Sequence, residues 1–127
     1  MIVLDATVII AFRDAGDPHH RAAVDFIIGH ATRPMLISPV TKAETLVNPA
    51  RAGRLAQALG LFDELGVVEV AFEADAAIRL AELRAATGSK MPDCCVLLAA
   101  QQRGAAVATF DERLRRSAIS CGLAVLP

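Results

Sequence analysis

Four acidic residues of this 127-residue chain are spaced so that they could act together: Asp5, Glu44, Asp93 and Asp111. Asp5 directly follows a short apolar run, Ile2 to Leu4, that reads as a first strand. Glu44 opens the helix after a second strand, Met35 to Ile37, and Asp111 directly follows a strand over Ala105 to Phe110. In a parallel α/β sheet the C-terminal ends of the strands share one edge, and ligand sites form in the crevice there. Three of the acids therefore fall on one edge. Asp93, in the first turn of a strongly apolar helix, joins them if that helix docks beside the sheet.

Carboxylates crowded within a few ångströms repel one another, and each gains affinity for a proton unless a cation neutralises the group. All-oxygen donors are hard ligands, which favours Mg²⁺ or Mn²⁺ over zinc. Mg²⁺ binds through one or two carboxylates, keeps waters and takes further ligands from phosphate. Such a site suits phosphodiester chemistry, in which a cation activates water and stabilises the leaving oxygen. The same residues also satisfy local helix rules. Thr41-Lys42-Ala43-Glu44 and Thr109-Phe110-Asp111-Glu112 both read as capping boxes. Asp5 reads as an N-cap, and Asp93 as an acid near the positive end of a helix.

The elements that must position these acids alternate between short apolar runs and longer stretches of helical period, the pattern of an α/β domain with a mainly parallel sheet. Val8, Ile9, Ala11 and Phe12 make an apolar helical face after the first strand. Asp17-Pro18 reads as the opening of a second helix that stops at Gly29. A helix starts near Thr41 and is interrupted by Pro49, and another covers Arg51 to Leu65 with apolar residues every three or four positions. Val67 to Val70 reads as a strand and Glu73 to Ala86 as a helix closing at Gly88. Pro92 opens a helix over Asp93 to Arg103, Asp111 to Ser117 is a short charged helix, and Leu123 to Leu126 is a last strand. With no internal repeat and no linker, residues 1–127 read as a single domain.

Composition narrows the rest. The chain is 54% hydrophobic and 21% charged, with five Phe and no Trp or Tyr, so aliphatic side chains must fill its interior. Three cysteines, two adjacent at Cys94 and Cys95, suggest neither a disulfide framework nor a zinc site and read as small core residues. The apolar run at residues 1–4 ends at Asp5 with no preceding basic residue, unlike a secretory signal. No uncharged apolar stretch approaches the ~20 residues of a membrane span. A cytoplasmic protein is expected. His19, His20 and His30 lack the spacing of a zinc helix and read as surface residues. A net charge of −1 gives no global basic field, so nucleic-acid binding would rest on local cations. Lys42, Arg51, Arg54, Lys90 and Arg113 are the candidates to flank the acidic edge and contact phosphates.

Four segments resemble the acidic motifs of one family. Ile2 to Ala11, around Asp5, resembles the opening of PIN domains, and Ile37 to Leu46, around Glu44, resembles their second motif. Pro92 to Ala100, around Asp93, is similar to the third, and Val107 to Asp111 to the fourth. Order, spacing and length are similar to the VapC toxins over essentially the whole chain. The resemblance implies a compact α/β/α sandwich, a Mg²⁺- or Mn²⁺-dependent endoribonuclease, a homodimer, and inhibition by a VapB-type antitoxin. It also gives roles: Asp5, Glu44, Asp93 and Asp111 as metal-binding and catalytic acids, with Thr7 and Thr109 as supporting hydroxyls. Ala6 departs from the family pattern, which commonly has threonine there, and Cys94-Cys95 replaces an apolar or small pair. Neither change removes a ligand.

Two other readings compete. Asp5-Ala6-Thr7 is faintly similar to the nucleophile loop of haloacid-dehalogenase-like phosphatases, but the second aspartate two positions on and a convincing distal acidic pair are missing. A PIN-like scaffold that binds a partner through apolar helices, without turning over RNA, would tolerate Asp5→Asn and Asp93→Asn.

Overall fold

The structure is a computed structural model and describes residues 1–127. Its elements in chain order are β1 (Ile2–Leu4), α1 (Ala6–Arg13), α2 (His20–Gly29), β2 (Met35–Ile37), α3 (Pro39–Arg51) and α4 (Leu55–Leu65). They continue with β3 (Val67–Glu69), α5 (Ala76–Thr87), α6 (Met91–Arg103), β4 (Ala106–Ala108), α7 (Glu112–Ser120) and β5 (Val125–Leu126). The strands form one five-stranded sheet in the order β3-β2-β1-β4-β5, and every pairing is parallel. This is the α/β/α sandwich expected from the sequence, with a sheet that is wholly rather than mainly parallel.

The core follows from the two-residue period of the strands, which sends successive side chains to opposite faces. Ile2, Leu4, Met35, Ile37 and Val67 pack on one face with Val8 and Ile9 of α1, Phe26 and Ile27 of α2, and Phe62 of α4. Val3, Leu36 and Val107 pack on the other with α6, with Leu83 of α5 and with Leu114 and Ala118 of α7. All three residues of β1 are fully buried, and so are Leu97, Leu98 and Ala100 of α6. Fully burying a Val, Leu or Ile side chain is worth about 1.5–3 kcal/mol. These two central elements, covered on both sides, therefore contribute heavily to the fold.

Chain direction sets the site. From β1 the chain steps to β2 and β3 on one side, while β4 and β5 lie on the other. The strand order thus reverses between β1 and β4, and a crevice opens at their C-terminal ends. Asp5 leaves β1 at that point, with its N–H donating to Ala108 O of β4 at 2.9 Å.

Several boundaries differ from the sequence reading, each for a local reason. Asp17 does not cap a helix at Pro18. Its Oδ1 instead accepts the His19 N–H at 2.8 Å, a short turn that delays α2 to His20. Pro49 does not interrupt α3. It sits buried within the last turn, where packing offsets its missing N–H. The cap of α3 is Ser38, whose Oγ accepts the Thr41 N–H at 3.1 Å, so Thr41-Glu44 is not a capping box. Ser38 is followed by Pro39 at the first helical position, where the missing N–H costs nothing. β4 ends at Ala108 because Thr109 and Phe110 turn into the site, and α7 runs three residues past Ser117.

Candidate active site

At the β1/β4 crevice, Asp5 is 5% exposed and Asp93 8%. Asp5 occupies the N-cap position of α1, but its side chain makes no capping bond. Its Oδ2 instead accepts two hydroxyls, from Thr7 at 2.7 Å and from Thr109 at 2.9 Å. Each hydroxyl in turn accepts a backbone N–H, Thr7 from Phe110 at 3.1 Å and Thr109 from Asp111 at 2.9 Å. The network closes on itself and holds the start of α1 against the exit of β4. Both acceptor positions of Oδ2 are used, and Oδ1 is the oxygen left over.

Asp111 divides its carboxylate in the same way. It is the N-cap of α7, with Oδ1 accepting the N–H groups of Arg113 at 2.7 Å and Leu114 at 3.2 Å. The capping box read at Thr109-Glu112 is therefore displaced by two residues: Asp111 caps, and Thr109 belongs to the Asp5 network. A structural role and a free oxygen coexist in both Asp5 and Asp111.

Asp93 and Glu44 complete the group. Asp93 lies in the first turn of α6, after Pro92. Burial, followed by the charges of Asp5, Asp111 and Glu44, pushes its carboxyl up to about 6 against the opposing pull of Lys90. Glu44, on an exposed stretch of α3, is also raised, first by partial desolvation and then by Asp5, with Lys90 again opposing. The four acids thus share one electrostatic environment, with Lys90 as its nearest compensating cation. No three His, Cys, Asp or Glu side chains converge closely enough to enclose a metal ion. Free carboxylate oxygens with unrelieved repulsion nevertheless fit a hard divalent cation that binds through one or two carboxylates and retains water.

Beside the acids runs an open groove of about 720 Å³. Asp93 and Asp111 share its lining with Arg84, Lys90, Arg113 and Arg116. Of the five cations anticipated to flank the acidic edge, only Lys90 and Arg113 line this groove. Lys42 is turned away, paired with Glu69 at 3.3 Å and set over the Phe62 ring. Arg54 faces a different cleft with Arg13, and Arg51 is exposed at the far end of α3. Arg84 and Arg116 escaped the sequence reading because they reach the groove only through the packing of α5 and α7 beside α6.

His19 is exposed, as expected, and His20 and His30 are half-buried. His19 stacks on Phe110 with ring centroids 4.7 Å apart and planes 8° from parallel, which pins the α1–α2 turn beside the threonine network. His20 and His30 each place Nδ1 2.8 Å from a backbone carbonyl, of Ala11 and Phe26. Cys94 and Cys95 are buried and Cys121 half-buried, all as free thiols.

No curated protein sequence is similar enough to this chain to count as a match. Among solved structures, the fold is similar to VapC20 from Mycobacterium tuberculosis, described as a sarcin-ricin loop cleaving toxin. That comparison gives a TM-score of 0.76 at 17% identity, over 92% of this chain and 95% of the other. VapBC2 from Rickettsia felis, bound to a DNA fragment from its promoter, gives 0.75 at 16% identity over 99% and 98% of the two chains. FitAcB from Neisseria gonorrhoeae gives 0.72 at 23% identity over 100% and 97%. The PIN-domain family model matches residues 2–119, a span that contains all four acids and both threonines. With its parallel sheet and an acid leaving β1 at the switch point, the chain belongs to the PIN-domain family.

Proposed function

We propose that this protein is a metal-dependent endoribonuclease and the toxin of a VapBC-type toxin-antitoxin pair, with Asp5, Glu44, Asp93 and Asp111 as its metal-binding and catalytic acids. The observation that carries this reading is the shared charge environment of Asp93, raised by burial and by the three other acids beside a cationic groove. Asp5 Oδ1, Asp93, Glu44 and the uncommitted oxygen of Asp111 would hold Mg²⁺ or Mn²⁺. A divalent cation there supplies Lewis acidity toward a phosphoryl oxygen and lowers the pKa of water. Thr7 and Thr109 fix the rotamer of Asp5, and α7 fixes that of Asp111. Arg84, Lys90, Arg113 and Arg116 receive the phosphates of an RNA strand and align it along the groove. Clustered lysines and arginines make such binding salt-dependent and suit a chain with no global positive charge.

A VapB-type antitoxin and a homodimeric assembly belong to the same proposal, supported by fold similarity to toxin-antitoxin complexes. Absence of a membrane-crossing helix accords with a cytoplasmic setting. The decisive experiment is cleavage of total cellular RNA by purified protein, with Mg²⁺ or Mn²⁺ against EDTA, beside Asp93→Asn. Metal-dependent fragments that vanish in the variant support the nuclease. Well-folded protein that cleaves nothing, together with undiminished cellular toxicity of Asp5→Asn and Asp93→Asn, favours the scaffold.

A further inference from the structure

A second cleft of about 610 Å³ lies between α1, α3 and α4, and among its lining residues are Arg13, Asn48, Arg54 and Gln57. Nothing in the nuclease reading uses it. Arg13 ends α1, and its Nη1 is buried with no hydrogen-bond partner. A buried donor left unpaired costs about 1–3 kcal/mol, more when charged, so such atoms in folded proteins call for an explanation. Burial, and then the neighbouring charge of Arg54, lowers the proton affinity of Arg13. Two guanidinium groups therefore face one cleft at mutual electrostatic cost.

The acids nearby do not relieve it. Asp14 and Glu64 line the same cleft, yet neither forms an ion pair with either arginine. Asp14 Oδ1 is instead engaged by the Gly16 N–H at 2.9 Å. Arg54 occupies the N-cap of the 11-residue α4, which has no side-chain cap and no acid in its first turn. A cation at the positive end of an uncapped helix adds to the unfavourable field, in the sense that an anion would reverse.

We propose that this cleft is a binding site for a doubly charged oxyanion of the phosphate class, held between Arg13 and Arg54 with Asn48 and Gln57 as neutral donors. Guanidinium forks match the oxygens of such an anion, and a dianion compensates both charges at once. Arg13 stands at the end of α1 opposite Asp5, about 12 Å along the helix, so the site is distinct from the cationic groove beside Asp93.

Inorganic phosphate is the probe, titrated calorimetrically into full-length protein in EDTA at constant ionic strength, with acetate as the monovalent control. Saturable phosphate binding is expected in the parent and in Arg33→Gln, an exposed residue outside both clefts. Arg54→Gln should weaken it by about tenfold, the size of one charge-assisted hydrogen bond, and Arg13→Gln should do the same. Arg54 is exposed, so its variant keeps the test open if Arg13→Gln fails to fold. The proposal is overturned if phosphate does not bind, if acetate binds equally well, or if binding falls in Arg116→Gln and not in Arg54→Gln. Because the readout is phosphate binding without RNA, its failure leaves the nuclease reading untouched, and failure of the nuclease leaves this site untouched.

Discussion

The hydroxyl of Thr109 donates a 2.9 Å hydrogen bond to Oδ2 of Asp5, joining residues 104 positions apart in the chain. The Thr109 hydroxyl oxygen in turn accepts the Asp111 N–H, so one buried side chain fixes two of the four acids. Thr109→Val removes both bonds at nearly constant volume. It should cost about 1–3 kcal/mol in urea unfolding and abolish most RNA cleavage, while Thr109→Ser retains both. Equal stability of parent and valine variant would mean that the network contributes nothing to the fold.

Asp93 gives a pH prediction. Its folded pKa of about 6 lies above the ordinary 3.8, so the folded state holds the proton more tightly than the unfolded state. Without metal, stability therefore falls as pH rises from about 4 to about 6, and the penalty is fully present above that range. The full displacement would correspond to about 3 kcal/mol, and solvent screening at this half-open site reduces it to roughly 1–2 kcal/mol. Asp93→Asn, free of this penalty, should be inactive yet more stable than the parent at pH 7 in EDTA. Unfolding curves between pH 4 and 8 test both statements, and parallel profiles for the two proteins would contradict them.

Metal binding should reverse the repulsion. Mg²⁺ or Mn²⁺ at 100 times its Kd adds about 2.7 kcal/mol to the parent's stability. The gain should be larger at pH 7 than at pH 5, where the proton competes for Asp93, and smaller in Asp93→Asn. Thermal melts with and without EDTA at the two pH values measure it. A gain independent of pH and of Asp93 would place the ion elsewhere.

In the groove, Arg113→Gln and Arg116→Gln should each weaken RNA binding at low salt. Each should also reduce the slope of log K against log salt by about 0.7, the value for one single-strand phosphate contact. Arg51→Gln, on an exposed turn away from the groove, should leave the slope unchanged. Fluorescence anisotropy with a catalytically silent Asp93→Asn background separates binding from cleavage.

The thiols should differ in reactivity. Burial pushes Cys95 up to about 11 and raises Cys94 as well, whereas Cys121 is half-buried. Iodoacetamide at pH 8 should modify Cys121 first and the adjacent pair only on unfolding. Early labelling of Cys94 or Cys95, read by peptide mass mapping, would show that α6 opens.

Much of this architecture could be read from residue order, because strand ends and helix starts are local features. Asp5 after Ile2–Leu4 and Asp93 after Pro92 announce their places through the apolar runs they border. The divided use of Asp5 and Asp111 could not be read that way. Which oxygen of Asp5 is spent depends on Thr109, delivered by the pairing of β1 with β4. Asp17-Pro18 and Thr41-Glu44 both fit a cap in sequence, but Asp17 spends its carboxylate on the His19 N–H in a turn ahead of α2, and Ser38 caps α3 in place of Thr41. Arg84 lies on a helix with no acidic motif and Arg116 on the second turn of α7, beyond the motif at Asp111, so only the packing of α5 and α7 reveals their place in the groove.

β1 is the first strand made, yet its neighbour at the crevice, β4, comes from residues 106–108. A ribosome delivers the N-terminal half first, at about 5–20 residues per second. Asp5 and Thr7 thus leave the exit tunnel seconds before Thr109 and Asp111. During that interval Asp5 lacks its distal hydroxyl, α7 lacks its cap, and β1 has an open edge where β4 will pair. Assembly of the acidic edge is therefore a late event in biosynthesis, and an unfinished chain still tethered to the ribosome holds only part of the acidic centre.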